Sequence, residues 1–182
     1  MSDTALRSDS YRGYVTVAEA APRPMVQLRG DFAEESLRDA VRLTMNSEFP
    51  EPLTILRGDR GQVAWMSPDE LLLMPESAQD ALQSLGDKLG DRHHLALDVS
   101  DMRSEMVLHG TAVRDVLAKA CPVDFGTLQP GQFRRTRMSQ AAVALWLDDE
   151  ETAHVLCFRS VARYVFDVLA SGARKGGEVG VF

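Results

Sequence analysis

Apolar residues recur along this chain with two periods, one near two and one near three and a half, and each switch marks an element boundary. The polar Met1–Ser10 reads as a disordered terminus. Tyr14–Ala18 predicts a strand or a segment draped over the surface, and Ala21-Pro22-Arg23-Pro24 an extended connector. Met25–Leu28 is a strand that turns at Gly30-Asp31. Asp31 followed by Glu34 has the spacing of a capping box, ahead of a helix whose inner face is Leu37, Ala40, Val41, Thr44 and Met45. Phe49-Pro50-Glu51-Pro52 cannot continue that helix, and Leu53–Leu56 adds a candidate strand. Val63–Met66 and Leu71–Met74 form a hairpin around Ser67-Pro68-Asp69-Glu70. Ser77 and Asp80 open a second helix, which buries Ala78, Ala81, Leu82, Leu85 and Leu89 and stops at Gly90. Leu95, Leu97 and Val99 alternate as in a half-buried strand, giving a first half in the order βαββαβ.

The second half repeats the order less clearly. Met106 and Leu108 share one strand face, His109-Gly110-Thr111 turns the chain, and Val113, Val116, Leu117 and Ala120 recur at helical spacing up to Cys121-Pro122. Strands follow near Phe133–Met138, Ala141–Leu147 and Ala153–Phe158. Ser160 stands where a cap is expected, before a last helix with the stripe Val161, Tyr164, Val165, Val168 and Leu169. The expected fold is α+β, with antiparallel sheets backed by helices. Residues 1–23 form an N-terminal extension, 24–173 one domain with halves 24–100 and 101–173, and 174–182 a flexible tail. The tail's alternative is an arm whose Phe182 docks on a partner.

Three blocks carry a family resemblance. Asp98-Val99-Ser100-Asp101 precedes a strand, His109-Gly110, and a helix that runs into Cys121-Pro122-Val123-Asp124. Arg135-Thr136-Arg137 leads through Gln140 to Val143-Ala144-Leu145-Trp146. Phe158-Arg159-Ser160-Val161-Ala162-Arg163-Tyr164 opens the last helix. With Val63–Leu73 as a first hairpin, their order and spacing resemble the gamma subunit family of heterotetrameric sarcosine oxidase, from about Pro24 to Gly172. That family is related to the folate-binding aminomethyltransferase, or glycine-cleavage T-protein, fold. The resemblance implies two ferredoxin-like βαββαβ modules. It further implies a subunit without a catalytic site, whose complex oxidises sarcosine to glycine with tetrahydrofolate as one-carbon acceptor and hydrogen peroxide as by-product. FAD, FMN, NAD, zinc and tetrahydrofolate would then belong to the other subunits, and the partners would be the alpha, beta and delta subunits. The alternative is a stand-alone folate-binding or one-carbon-transfer protein of the aminomethyltransferase superfamily.

Composition narrows the classes. The chain has 182 residues, 45% of them hydrophobic and 26% charged, the balance of a globular domain able to bury a core without staples. Twenty Lys and Arg against 27 Asp and Glu leave a net charge of −7, which disfavours nucleic acid as a partner. No apolar run reaches the roughly 20 residues of a bilayer-spanning helix, and two cysteines are too few for a disulfide framework. A cytoplasmic location, away from membranes, is the expectation.

Candidate chemistry is sparse. Adjacent His93 and His94 point apart on a strand and make a poor metal pair; no HxxxH or CxxC spacing occurs. Cys121 ends a helix and Cys157 lies within the apolar strand Val155–Phe158. With neither a helix N-terminus nor a cationic neighbour in sequence, neither reads as a reactive thiol, and Cys157 reads as a buried small hydrophobe. Asp98 and Asp101 read as turn caps. GxSxG, P-loop and dinucleotide-binding glycine patterns are missing, so no catalytic, cofactor-binding or metal residue is assigned. The one charged feature is Arg134-Arg135-Thr136-Arg137 with Arg163 later. Arg135 and Arg137 share a strand face, and with Arg163 they are the candidate partner or anion contact.

Overall fold

Two short strands near the start of the chain, β1 (Ser10–Arg12) and β2 (Thr16–Glu19), form a hairpin that belongs to a sheet from the second half of the sequence. The computed structural model describes residues 5, 6 and 8–182. Its chain divides into a continuous unit, residues 23–100, and a discontinuous one, residues 1–22 with 101–182.

The continuous unit runs β3 (Val26–Gly30), α1 (Glu35–Met45), β4 (Ile55–Gly58), β5 (Gly61–Ser67), β6 (Glu70–Pro75), α2 (Ala78–Leu89) and β7 (His94–Asp98). Its antiparallel sheet has the order β4-β5-β6-β3-β7, so the four strands of the βαββαβ motif take their expected places and β4 adds an edge. Helix α1 buries Leu37, Ala40, Val41, Thr44 and Met45, as the spacing predicts. The apolar four, Leu37, Ala40, Val41 and Met45, share a core with Val26, Leu28, Val63, Leu71 and Leu73 from the sheet and Leu85 and Leu89 from α2. Each fully buried aliphatic side chain there contributes about 1.5–3 kcal/mol. Ser77 caps α2 as expected, its hydroxyl accepting from the Asp80 N–H.

Two local expectations change. The residue before α1 is Glu34, with no side-chain cap; Asp31 instead accepts the Ala33 N–H in a tight turn one step earlier. Leu95 and Leu97 are not half-buried inward residues. Small Ala96 lies opposite Leu28 on the helix-covered face, which turns both leucines onto the second face, 46% and 45% exposed on the open edge strand β7.

After a 3-10 turn (Ser100–Met102) that spans the division, the discontinuous unit continues with β8 (Arg103–His109), α3 (Val113–Ala118), β9 (Phe133–Met138), β10 (Ala141–Leu147), β11 (Thr152–Phe158), a second 3-10 turn (Arg159–Val161) and α4 (Ala162–Gly172). Its antiparallel order is β1-β2-β8-β11-β10-β9. Here β8, β10 and β11 match the first three motif strands, β9 is the added edge, and β2 fills the fourth place beside β8. The second βαββαβ module is therefore complete, with its last strand supplied from the beginning of the chain. The expectation of disorder for Met1–Ser10 fails for its described residues; residues 1–4 and 7 lie outside the described set. Leu6 is buried, its N–H donates to the Glu19 carboxylate at 2.9 Å, and Ser10 opens β1.

Met106, Val155 and Leu145 are paired across β8, β11 and β10 and face the helices. Helix α4 packs on them with Ala162, Val165, Phe166 and Leu169. The stripe is rotated from the expected one: the all-apolar side chain of Phe166 goes inside, and Tyr164 stays exposed. Ser160 lies in the 3-10 turn before α4 and does not cap it.

Candidate functional site

On β9 the buried ends Phe133 and Met138 hold the strand down, and Arg135 and Arg137 between them are exposed on one face. They sit opposite Ala144 and Ala142 of β10, whose methyl groups leave the guanidinium stems uncrowded. Arg137 Nη2 donates to the Gln140 carbonyl at 3.0 Å across the β9–β10 turn. Arg134 points to the opposite side and donates to the Gln132 side chain and the Phe133 carbonyl. Arg163 stands apart from this pair. On α4 it donates to Asp9 Oδ2 at 2.9 Å, just before β1, with Asp167 at 3.5 Å. Strand β1 and strand β9 are the two opposite edges of the sheet, so the structure brings two of the three arginines together and leaves the third at the other edge.

The same sheet face carries a polar cluster that pattern reasoning missed. His154 Nδ1 is hydrogen-bonded to Glu105 Oε1 at 2.7 Å, and His154 Nε2 lies 3.2 Å from Asp148 Oδ2. Trp146 Nε1 donates to Asp148 Oδ1, and the Trp146 ring lies parallel to the imidazole with centroids 4.7 Å apart. Phe133 stacks on Trp146 in turn, at 5.8 Å. A carboxylate–imidazole pair is the raw material of a general base, but a base must point a nitrogen at its substrate. Both nitrogens of His154 face carboxylates of its own unit, and one ring face is covered by indole. This cluster cross-links three strands.

The remaining candidates also have structural roles. Asp98 accepts from the N–H and hydroxyl of Ser100 and caps the first 3-10 turn. Burial pushes both thiols up to about 12, with the Glu19 charge a smaller contribution at Cys157, so neither is a thiolate at neutral pH. His94 Nδ1 contacts the Arg92 carbonyl and His109 Nδ1 the Thr152 hydroxyl. Among the described residues no three His, Cys, Asp or Glu side chains gather into a metal-binding set. No helix among them is long and apolar enough to cross a membrane.

Comparison with known proteins adds what the geometry alone does not. The model of the sarcosine oxidase, gamma subunit family matches residues 29–174. The chain belongs to the sarcosine oxidase gamma subunit family. A sarcosine oxidase subunit gamma from Corynebacterium sp. (strain P-1) is 32% identical over 165 residues, 84% of this chain and 76% of that protein. The one from Corynebacterium sp. (strain U-96) is 35% identical over 96 residues, so the aligned stretch spans about half of each, 52% of this chain and 47% of the relative. Among solved structures, a chain of the heterotetrameric sarcosine oxidase from Corynebacterium sp. U-96, in complex with pyrrole 2-carboxylate, superimposes with a TM-score of 0.81 at 27% identity. It covers 90% of this chain and 87% of that one. The glycine cleavage system aminomethyltransferase T from Bartonella henselae matches 86% of this chain and 45% of its own length. Its TM-score of 0.61 at 14% identity shows a shared fold.

Within this gamma-subunit-family chain, the charged groups most thoroughly built into the structure escaped sequence reasoning. Glu19 is 8% exposed and accepts from Leu6 N, Ser8 N and the Ser104 hydroxyl. Arg114 donates to the Phe125 and Leu128 carbonyls at 2.6 and 2.7 Å and pins the loop after α3. A signal was present for Glu19 and His154: each is a titratable residue among apolar neighbours in its strand, a costly placement unless it is paired.

Proposed function

We propose that this chain serves as a non-catalytic, structural subunit of a sarcosine-oxidising complex, bound to larger subunits that correspond to alpha and beta and to a small delta. The complex would take two electrons from the N-methyl group of sarcosine, pass them to dioxygen as hydrogen peroxide, and hand the one-carbon unit to tetrahydrofolate, leaving glycine. FAD, FMN, NAD, zinc and the folate site are assigned to the other subunits, and the complex to the cytoplasm. The observation that carries this reading is the likeness, over nine-tenths of the chain, to a component of a heterotetramer. The hydrogen bonds that occupy His154 Nδ1 and Asp98, and the burial that keeps both thiols protonated, are in keeping with it. Obligate contacts of this kind bury more than about 2,000 Å². For the contact we assign Arg135 and Arg137 on edge strand β9, where two guanidinium groups on one face suit paired carboxylates of a partner. Arg163 belongs to this contact only if the complex draws it away from Asp9.

Co-expression with the larger subunits of the complex tests the proposal. Size-exclusion chromatography is expected to return the chain only at the mass of the complex, and Arg135→Glu with Arg137→Glu to weaken retention at least tenfold at low salt. Elution of the unaltered chain as a free monomer beside the assembled larger subunits would overturn the assignment. Calorimetry of the isolated chain with tetrahydrofolate is expected to give no heat. Stoichiometric binding would instead support the stand-alone folate protein.

A further inference from the structure

The segment after α4 makes more specific contacts than a terminal tail requires. Asp115 of α3 is only 4% exposed, yet none of its neighbours in sequence satisfies its carboxylate. Three consecutive backbone N–H groups from the far end of the chain do so: Gly180 to Oδ2 at 2.8 Å, Val181 to Oδ1 at 3.1 Å and Phe182 to Oδ1 at 3.3 Å. Their convergence on one carboxylate needs a tight backbone curl, and Gly180 supplies it at φ +66°. The Phe182 ring meets the buried Phe125 edge-to-face, with centroids 6.5 Å apart. One turn along, Lys119 Nζ donates to the Gly177 carbonyl as well as to Gly172 O and Tyr14 Oη. Val179 and Val181 point to solvent, so apolar burial is not what holds the segment.

We propose that Asp115, Lys119 and Phe125 form a peptide-binding site on the discontinuous unit. Its ligand is a glycine-curled run of backbone amides ending in an aromatic side chain, and its resident occupant is this chain's own residues 176–182. The site reads main-chain N–H groups through a carboxylate, one carbonyl through an ammonium, and one ring through another ring. Ala173-Arg174-Lys175 joins the end of α4 to the occupant, so occupancy is an intramolecular equilibrium set by effective concentration. A free peptide of the same sequence therefore competes poorly with the attached segment and binds once that segment is removed.

The test uses the full chain, a chain ending at Lys175, and a fluorescein-labelled peptide of residues 176–182. Fluorescence anisotropy is expected to show saturable binding to the shortened chain, at least tenfold weaker binding to the full chain, and at least tenfold loss with Asp115→Asn in the shortened chain. Hydrogen exchange on the unaltered full chain supplies a readout that needs no variant to fold. The amides of residues 180–182 are expected to exchange at least tenfold more slowly than in the free peptide. Exchange at the free-peptide rate would overturn the proposal, as would binding that Asp115→Asn leaves unchanged.

Discussion

Replacing Glu19 with alanine removes the acceptor on which three donors converge: Leu6 N at 2.9 Å, Ser8 N at 3.2 Å and the Ser104 hydroxyl at 2.9 Å. Leu6 and Ser104 are buried, whereas Ser8 is exposed and regains water. A buried donor left without a partner costs about 1–3 kcal/mol, so two give about 2–6 kcal/mol. Part of this returns because the carboxylate no longer has to be held out of water, which leaves a net loss of about 2–4 kcal/mol. A chain of this size loses roughly 2–4 °C in Tm per kcal/mol, so Glu19→Ala is expected to lower Tm by roughly 5–15 °C in a circular-dichroism melt at pH 7. Glu19→Gln keeps one acceptor oxygen and the side-chain volume and is expected to show about half of that. Glu35→Ala, which removes an exposed partner of Arg42, is the control and is expected to leave the melt unchanged. A fall of less than about 2 °C in Glu19→Ala would mean that the donors find water, and would refute the view that Glu19 anchors the start of the chain to β8.

Two further outcomes follow from burial and close approach. Cys121 and Cys157, pushed from an ordinary 9.0 to about 12 by burial, are expected to resist a disulfide reagent at pH 8 in the native chain and to react fully in denaturant. A thiol with a raised folded pKa stabilises fully below the unfolded value, so a Tm series is expected to be unaffected by these groups below pH 9 and to fall as pH rises toward 12; native reactivity at pH 8 would contradict this. A methyl group at Gly13 would lie 1.7 Å from the Ala173 carbonyl oxygen, which also accepts the Tyr14 N–H. Gly13→Ala is therefore expected to cost about 1–3 kcal/mol in urea unfolding. Gly86→Ala, on the exposed face of α2 with no atom near the new carbon, is expected to gain up to about 1 kcal/mol, and equal effects of the two would refute the argument.

The α1 face and the β5–β6 hairpin were legible in the sequence because period and turn chemistry agree there. The α4 stripe was not, since Val161-Tyr164-Val165-Val168 and Ala162-Val165-Phe166-Leu169 are equally periodic and only packing chooses between them. Leu95 and Leu97 alternate correctly, but alternation cannot say which face the helices cover. Tyr14–Ala18 was too short to separate a strand from a draped segment, because the partner that decides it, β8, lies far along the sequence. Arg135 and Arg137 were found together because strand periodicity alone pairs them. Arg163 was grouped with them by composition, and its contact with Asp9 depends on tertiary neighbours that no local pattern encodes. Asp115 gave no warning, since an acid in the first turn of a helix is commonplace and its ligands come from residues 180–182.

Because β2 closes a sheet whose next strand is made about eighty residues later, the two units leave the ribosome on different schedules. The continuous unit has every strand it needs once Asp98 has emerged. The hairpin made first must wait several seconds, at typical synthesis rates of about 5–20 residues per second, with its pairing edge uncovered. An intervening body that matures early, while its flanking strand stays unmated, gives the nascent chain a period when a chaperone or a sister polypeptide can reach that edge before β8 does.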